Sequence, residues 1–240
     1  MRKNRWSYRL TWRIEQGRKM LGDEASALIC RYVESQRTEN EAFINRGGKE
    51  ELYYTMFGWI LCRTLGLKSV SRKRKTYLQN VDKTNLDDRH RAVYRLCRGL
   101  HLLWRMPRPF ADGIHGIVGD GGVLADFFAS YLQHGSGTGA NAWAVETLAG
   151  RREATEKLLA LQDVSGGFRA HDGAPFPDLL STAVALFALA EYGLCPSYGS
   201  RDFIRAHWLP DGGFAPTLFD DRSDVEYVFY GLLALGSVNE

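Results

Sequence analysis

The feature that most constrains the fold of this chain is a sequence repeat in its C-terminal part. The segment "LALQDVSGGFRAHDGAPFPDLLSTAVALFALAEYG" (159–193) aligns with "IRAHWLPDGGFAPTLFDDRSDVEYVFYGLLALGSV" (204–238), so that Phe168 matches Phe214. In both copies an acid, Asp178 or Asp224, follows the phenylalanine by ten positions and heads an apolar segment. A unit that recurs at fixed spacing predicts an array of similar modules rather than an irregular fold.

Further copies of this unit extend the repeat through the chain. A third copy, residues 30–66, has Phe43 and then Glu51 at the head of "ELYYT", with a loop two residues shorter. Weaker copies cover 74–103 and 124–150, and the Pro- and Gly-rich piece 104–122 is predicted to be an irregular insertion. With an N-terminal helix over 7–20, the chain is predicted to form five helical hairpins in a single domain, 1–240.

The composition of each repeat predicts its structure. The glycine pairs before Phe168 and Phe214 suit a turn with positive φ, which we expect at Gly167 and Gly213. Glu51, Asp178 and Asp224 lie where a helix N-cap belongs. The helices after these acids are apolar all round and should be buried, whereas the preceding ones are amphipathic. Inner helices are predicted near these ranges: 50–66, 88–103, 140–150, 178–193 and 224–236.

Buried helices that alternate with half-exposed ones predict an all-α fold, an (α/α) toroid or partial toroid of about five helical hairpins around an apolar central cavity. No stretch is long and apolar enough for a spanning helix, and the N-terminus lacks the apolar core of a signal peptide, so a cytoplasmic protein is expected. The cysteines are far apart, without a CxxC pair, which argues for free thiols. They are Cys30, Cys62, Cys97 and Cys195.

Charge is distributed unevenly along the chain. Residues up to Phe110 include 24 basic and 11 acidic residues, and those after it 7 and 17. Either the two halves attract each other within one domain, or the basic half forms a surface for phosphate or an acidic partner, with "SRKRKTY" (71–77) as its densest run. There is no recognisable nucleic-acid-binding motif, so nucleic acid is not an expected partner.

The strongest repeat resembles a known family. The pattern Q-x(3)-GGF, a loop and then D-x(2)-[ST] is similar to the prenyltransferase and squalene-cyclase repeat of protein prenyltransferase β subunits and class II terpene cyclases. The resemblance covers 150–238 and 24–66. It implies a toroid whose pocket accepts an isoprenoid or a prenyl diphosphate, with a second subunit or a protein acceptor as further partners. The residues that carry it are Gln162, Gly166, Gly167, Phe168, Asp178, Ser181 and Thr182.

The catalytic motifs of that family are absent from the corresponding positions. Zinc-dependent prenyltransferases have Asp-x-Cys at the head of one inner helix and His at the head of the next, whereas this chain has "DLL" (178–180) and "DVE" (224–226). Zinc is therefore not expected, and any metal should be Mg²⁺ on the oxygens of Asp224 and Glu226. The DxDD acid of the cyclases has only a misspaced counterpart, "FDDRSD" (219–224). Asp178, Asp224 and Glu226 remain the candidate catalytic residues.

Candidate substrate contacts are aromatic residues and arginines of the inner helices. The aromatic residues could stabilise a cation or could contribute only to core packing. The arginines could bind a diphosphate or could remain solvated. His90, Tyr94, Cys97 and His101 share a helix face, which favours core packing over a metal site because a single Cys–His pair leaves ligands unsupplied. The candidate contacts are Tyr53, Tyr54, Trp59, Arg91, Tyr94, Arg95, Trp143, Tyr227 and Tyr230.

Three functions are compatible with the sequence. The first is an isoprenoid-binding toroid with prenyltransferase-like or terpene-cyclase-like activity on a prenyl diphosphate. The second is a noncatalytic toroid that binds an isoprenoid or a protein partner. The third is a carbohydrate-active (α/α) barrel, which usually presents carboxylates and histidines within its cavity. Metal analysis and lipid mass spectrometry of the purified protein distinguish them.

Overall fold

The computed structural model describes residues 6–104, 138 and 151–238, and within them all regular secondary structure is helical. The all-α prediction is thereby confirmed for this part of the chain. The predicted helix 140–150, most of the insertion 104–122 and the repeat copy 124–150 lie outside the described residues. The helices are α1 Trp6–Lys19, α2 Asp23–Ser35, α3 Leu52–Leu65, α4 Ser71–Asn80, α5 Asp88–Trp104, α6 Arg151–Ala160, α7 Leu179–Glu191, α8 Arg201–Ala206 and α9 Val225–Leu235.

Four predicted inner helices correspond to α3, α5, α7 and α9, and they pack in a definite order. α9 packs against α7 on one side and α3 on the other, and α3 also packs against α5. α3, α7 and α9 are buried over nearly their whole length, as the continuous apolar segments predict. α3 therefore adjoins α9, although more than 150 residues separate them in sequence.

The N-terminal helix α1 closes this arrangement by packing on α9. Their backbones are so close that a Cβ at Gly17 would overlap the carbonyl oxygen of Leu232, and one at Gly236 would overlap that of Arg13. Arg13 Nε also pairs with Glu191 Oε1 at 3.1 Å, which links α1 to the end of α7. Both glycines are thus required by contact, because any side chain would separate the helices.

The phenylalanine of each strong repeat anchors the turn before its inner helix. Its amide donates to a hydroxyl in all three copies: Phe43 N to Thr55 Oγ1 at 2.9 Å, Phe168 N to Thr182 Oγ1 at 2.8 Å and Phe214 N to Ser223 Oγ at 2.9 Å. The three rings are fully buried. In the first two of these copies the acceptor is the threonine four residues after the acidic head, whereas in the last copy it is the serine before Asp224.

The glycine pairs form these turns, but not as predicted. Positive φ occurs at the first glycine of each pair, 91° at Gly166 and 95° at Gly212, rather than at Gly167 and Gly213. The second glycines are required for space instead, since a Cβ would collide with Phe203 at Gly167 and with Ser223 at Gly213. The expectation of positive φ at the second glycine was wrong because either of two adjacent glycines can adopt that conformation.

Two of the three predicted acidic caps are present. Asp178 accepts from the backbone N–H of Ser181, and Asp224 from that of Tyr227 at 3.1 Å. Glu51 occupies the N-cap position of α3 without capping it, and its carboxylate accepts from Asn45 Nδ2 at 2.9 Å instead. Among the described residues, no helix combines the length and apolar content needed to cross a bilayer.

Candidate functional site

The candidate site lies where the first and last inner helices meet. Tyr53 and Glu226 occupy equivalent repeat positions, each two residues after the acidic head of its helix. Tyr53 Oη donates to Glu226 Oε1 at 2.6 Å, and only 8% and 7% of these residues is exposed. The contact between α3 and α9 therefore brings a phenol and a carboxyl group together away from bulk solvent.

The environment of Glu226 favours its neutral form. Burial raises the pKa of its carboxyl group from 4.5 to about 7, and the negative charge of Asp224 acts in the same direction. The hydrogen bond from Tyr53 and the charges of Arg89 and Arg46 oppose this rise without cancelling it. A carboxyl group with this pKa exchanges a proton near neutral pH, which is the property required of a general acid or base.

Arg46 links the loop of the first repeat to that of the last. Its Nε pairs with Asp224 Oδ2 at 2.7 Å and its Nη1 with Asp220 Oδ2 at 3.0 Å. Arg222 Nη2 donates to the carbonyl oxygen of Arg46 at 2.6 Å, and the Arg46 guanidinium lies 5.1 Å from the Tyr227 ring centroid. Asp224 is thus held by both a helix N-terminus and an arginine, which fixes its geometry next to Glu226.

A second guanidinium group lies on the other side of the Tyr53–Glu226 pair. The Cζ atom of Arg89, in the first turn of α5, is 4.9 Å from the centroid of the Tyr53 ring. Tyr54 packs edge-on against Tyr53 at 5.5 Å and is half-buried. Burial raises the pKa of Tyr54 to about 12, so its phenol stays neutral. Two cations, three tyrosines and a protonatable acid therefore converge at the N-terminal ends of α3, α5 and α9.

The other predicted substrate contacts are distributed elsewhere. Trp59 is buried and donates to the carbonyl oxygen of Glu41 at 2.6 Å, and Tyr230 is buried against Phe57 and Phe229. These two side chains are part of the core. Tyr94 packs on α4, where its hydroxyl donates to Leu78 O at 3.3 Å.

The two predicted arginines and the last predicted aromatic are not part of the cluster around Tyr53. Arg91 is exposed and pairs with Asp88 at 2.9 Å, and Arg95 is exposed. Trp143 lies outside the described residues. Of the nine predicted contacts, the structure brings Tyr53, Tyr54 and Tyr227 together beside Glu226.

Asp178 occupies the equivalent of Asp224 in the preceding repeat but has a different environment. It accepts from the Ser181 hydroxyl at 2.7 Å, and burial raises the pKa of its carboxyl group. His207 would oppose this rise when protonated, but burial lowers the pKa of this fully buried histidine and so favours its neutral form. Asp178 is therefore a capping residue with a histidine nearby, and no arginine among the described residues pairs with it as Arg46 does with Asp224.

The described residues offer little to a metal ion. No group of three or more His, Cys, Asp or Glu side chains among them is arranged to hold one. Asp224, a predicted Mg²⁺ ligand, already accepts from Arg46 and Tyr227 N. On the His90 to His101 face, Cys97 is fully buried, which raises the pKa of its thiol, whereas His90 turns to Asp87 at 2.8 Å. This arrangement agrees with packing rather than with shared ligation.

Sequence reasoning missed Arg46, which holds Asp224, and did not include Arg89 among the substrate contacts. Arg46 lies in the loop of the first repeat, whereas the equivalent loop of the last repeat carries Asp220 and Asp221. If the first and last repeats are neighbours, these opposite charges in equivalent loops predict an ion pair between the loops. Comparison of the chain with family models, with curated proteins and with solved structures finds no match.

Proposed function

We propose that this chain binds an isoprenoid or a prenyl diphosphate inside a helical toroid. The observation that carries the proposal is the cluster at the α3–α9 contact, where Tyr53, Tyr54 and Tyr227 lie beside Arg46 and Arg89. Aromatic walls suit an unsaturated apolar chain, and guanidinium groups at helix N-termini suit an anionic head group. The same mouth would thus receive both ends of an amphipathic ligand.

The packing order of the inner helices supports the toroid. In a closed ring the first and last inner helices must be neighbours, and α3 does pack against α9. The sequence α5, α3, α9, α7 forms a continuous run of adjacent inner helices. The repeat copy at 124–150 would complete the ring between α5 and α7, and the resemblance to the prenyltransferase and squalene-cyclase repeat implies the same closure.

Lipid analysis of the purified full chain tests this proposal directly. We expect an organic extract to contain an isoprenoid by mass spectrometry, and the stripped protein to bind farnesyl or geranylgeranyl diphosphate saturably. Arg89→Gln should weaken diphosphate binding about tenfold, because it removes a charged partner, and leave binding of the matching uncharged alcohol unchanged. Arg152→Gln, which alters an exposed arginine of α6, is the matched control.

Two results would overturn the proposal. One is an extract without isoprenoid from protein that also fails to bind either diphosphate. The other is a bound oligosaccharide, which would favour the carbohydrate-active barrel.

A second candidate, acid–base catalysis on the bound isoprenoid, is favoured by Glu226 alone. Its buried carboxyl group has a pKa of about 7 and accepts a hydrogen bond from Tyr53. Such a group holds a proton in an apolar setting and can deliver it to a substrate. Glu226→Gln should then abolish turnover while ligand affinity is kept. Turnover that persists in this variant would leave only the binding function.

A further inference from the structure

The hairpin formed by α4 and α5 is the most basic surface among the described residues. Between Lys68 and Arg98 the chain carries ten basic and three acidic residues. The three acids are engaged locally: Asp82 by Thr84, Asp87 by His90 and Asp88 by Arg91. The surface, here called the basic hairpin (residues 68–102), therefore keeps a large positive excess.

Seven cations of the basic hairpin are exposed and make no ion pair within the described part of the chain. They are Lys68, Arg72, Lys73, Lys75, Lys83, Arg95 and Arg98. Exposed cations elsewhere are of both kinds: Arg152 pairs with Glu156, Lys157 with Glu153 and Arg205 with Asp202. Four others make no ion pair in the described part of the chain: Lys19, Arg31, Lys49 and Arg222. The unpaired charge is therefore denser on the basic hairpin than elsewhere, although it is not confined to it.

Apolar side chains accompany these cations at one end of the hairpin. Arg91, Arg95, Arg98 and Leu102 follow one another at helical spacing along the exposed side of α5, and Leu102 is 55% exposed. Tyr94 in the first half of α5 donates to Leu78 near the end of α4, so the two helices run antiparallel. Val70, at the start of α4 and 49% exposed, thus lies at the same end as Leu102.

We propose that the basic hairpin docks on an anionic lipid bilayer, with its unpaired cations at the head groups and Val70 and Leu102 in the interface. Basic residues with long, unpaired side chains beside exposed apolar residues are typical of surfaces that bind anionic membranes peripherally. An acidic protein partner would also attract the cations. An acidic partner would not explain why Val70 and Leu102 are exposed at the end of the cationic surface. A bilayer explains both the cations and the exposed apolar side chains.

This docking goes beyond isoprenoid binding and rests on the exposed cations and apolar residues of the basic hairpin. The isoprenoid site depends on Tyr53, Glu226 and Tyr227 outside the hairpin and on Arg89 within it, and Arg89 is unchanged in every docking variant. Because the two sets of residues differ, either proposal can fail while the other stands.

Vesicle cosedimentation of the full chain tests the docking. We expect binding to phosphatidylcholine vesicles that contain about 30% phosphatidylserine and none to pure phosphatidylcholine, because only the former have a negative surface potential. Raising salt from about 0.15 M to about 1 M should release the protein, since the screening length falls to about 3 Å. The triple variant Arg72→Gln/Lys73→Gln/Lys75→Gln should bind about 100-fold more weakly, about fivefold for each cation removed.

A matched control separates local from net charge. Arg152→Gln/Lys157→Gln/Arg205→Gln removes the same charge at exposed positions elsewhere and should bind vesicles like the wild type. A second variant on α5, Arg95→Gln/Arg98→Gln, should weaken binding about 25-fold, and unchanged circular dichroism and thermal midpoints would establish that all variants are folded.

Three results would overturn the docking proposal. The first is wild-type protein that stays in the supernatant with phosphatidylserine vesicles. The second is a control variant that loses as much binding as the α4 variant. The third is binding to polyglutamate but not to vesicles, which would assign the basic hairpin to an acidic protein. Bound isoprenoid in the α4 variant is expected in every case in which the function proposed above is correct.

Discussion

The turns of the first and last repeats have the same backbone geometry but are built from different residues. In the last repeat the left-handed position is Gly212, at φ 95°, and in the first it is Glu41, at φ 65°. Glu41 is the one non-glycine residue with positive φ among the described residues. A left-handed conformation costs a residue with a Cβ about 1–2 kcal/mol, so Glu41 must have a compensating role.

The surroundings of the two residues explain the difference. A Cβ at Gly212 would lie 2.6 Å from the carbonyl group of Leu28. The Glu41 side chain, in contrast, is accommodated in the interior and makes hydrogen bonds there. Its carboxylate accepts from Ser69 Oγ at 2.5 Å and from Val70 N at 3.1 Å, directly before α4. The comparison teaches that the repeat fixes the turn, while the neighbouring element decides which residue occupies it.

The largest expected effect on stability is at Gly212, where a side chain cannot be accommodated. Gly212→Ala adds both left-handed strain and a collision with the Leu28 backbone, which together should cost about 4 kcal/mol of unfolding free energy. Urea denaturation measures this cost. Gly48→Ala is the matched control, because Gly48 also has positive φ, 77°, but a Cβ there meets nothing within 4 Å. The control should lose about 1 kcal/mol, and equal losses at both sites would refute the role of contact.

Glu226, which has no acidic counterpart in the first repeat, should make the free energy of unfolding depend on pH. Its pKa is about 7 in the folded chain and 4.5 when unperturbed, so the folded state binds its proton more strongly. The resulting stability is fully present below pH 4.5 and is lost as pH rises to about 7, a change of about 3 kcal/mol. Unfolding curves across this range should show the decline, and Glu226→Gln should remove it. A decline that persists unchanged in the variant would assign it to another group.

The arginine that joins the two repeats comes next in size. Arg46→Gln leaves Asp224, whose side chain is 2% exposed, without its ionic partner. Because Arg46 itself is partly exposed, the expected loss is about 2 kcal/mol, below the range for fully buried pairs. Thermal unfolding checks this value against Arg222→Gln, which removes only the bond to the Arg46 carbonyl. If both variants behave alike, the ion pair contributes nothing specific.

The smallest expected difference isolates the strain at Glu41. Glu41→Ala and Glu41→Gly both remove the carboxylate that holds Ser69 and Val70, and each should destabilise the chain. Only the glycine variant relieves the left-handed strain, so it should be more stable than the alanine variant by about 1 kcal/mol. Chemical denaturation of the two proteins in parallel resolves this difference. An alanine variant as stable as the glycine variant would mean that φ at this position carries no strain.

The sequence predicted the modules better than the contacts between them. Apolar periodicity and the acidic heads located α3, α5, α7 and α9 within a few residues, because these features are local. The Tyr53–Glu226 hydrogen bond could be predicted only in part: both residues were candidates, but their pairing depends on which repeats are neighbours. The pKa of Glu226 likewise depends on burial, which the sequence alone does not determine.

Other features of the site had no local signal of their own. Arg46 looks like any loop arginine until its loop is placed against Asp220 and Asp224. Which glycine of a pair has positive φ had no signal in the sequence, because either glycine can adopt that conformation. The left-handed Glu41 is explained only by Ser69 and Val70 at the start of α4, which lie outside the repeat copy that contains Glu41.

The close contact between α1 and α9 has a consequence for how the protein is made. α1 ends at Lys19 and α9 begins at Val225, so a ribosome completes the first helix long before its partner exists. At about 5–20 residues per second, the buried face of α1 waits roughly 10–40 s for α9. During synthesis Leu10 and Ile14, which are fully buried in the finished protein, have no permanent partner there. Final assembly is therefore a late event, and the face of α1 that packs on α9 is open to chaperones and proteases before it occurs.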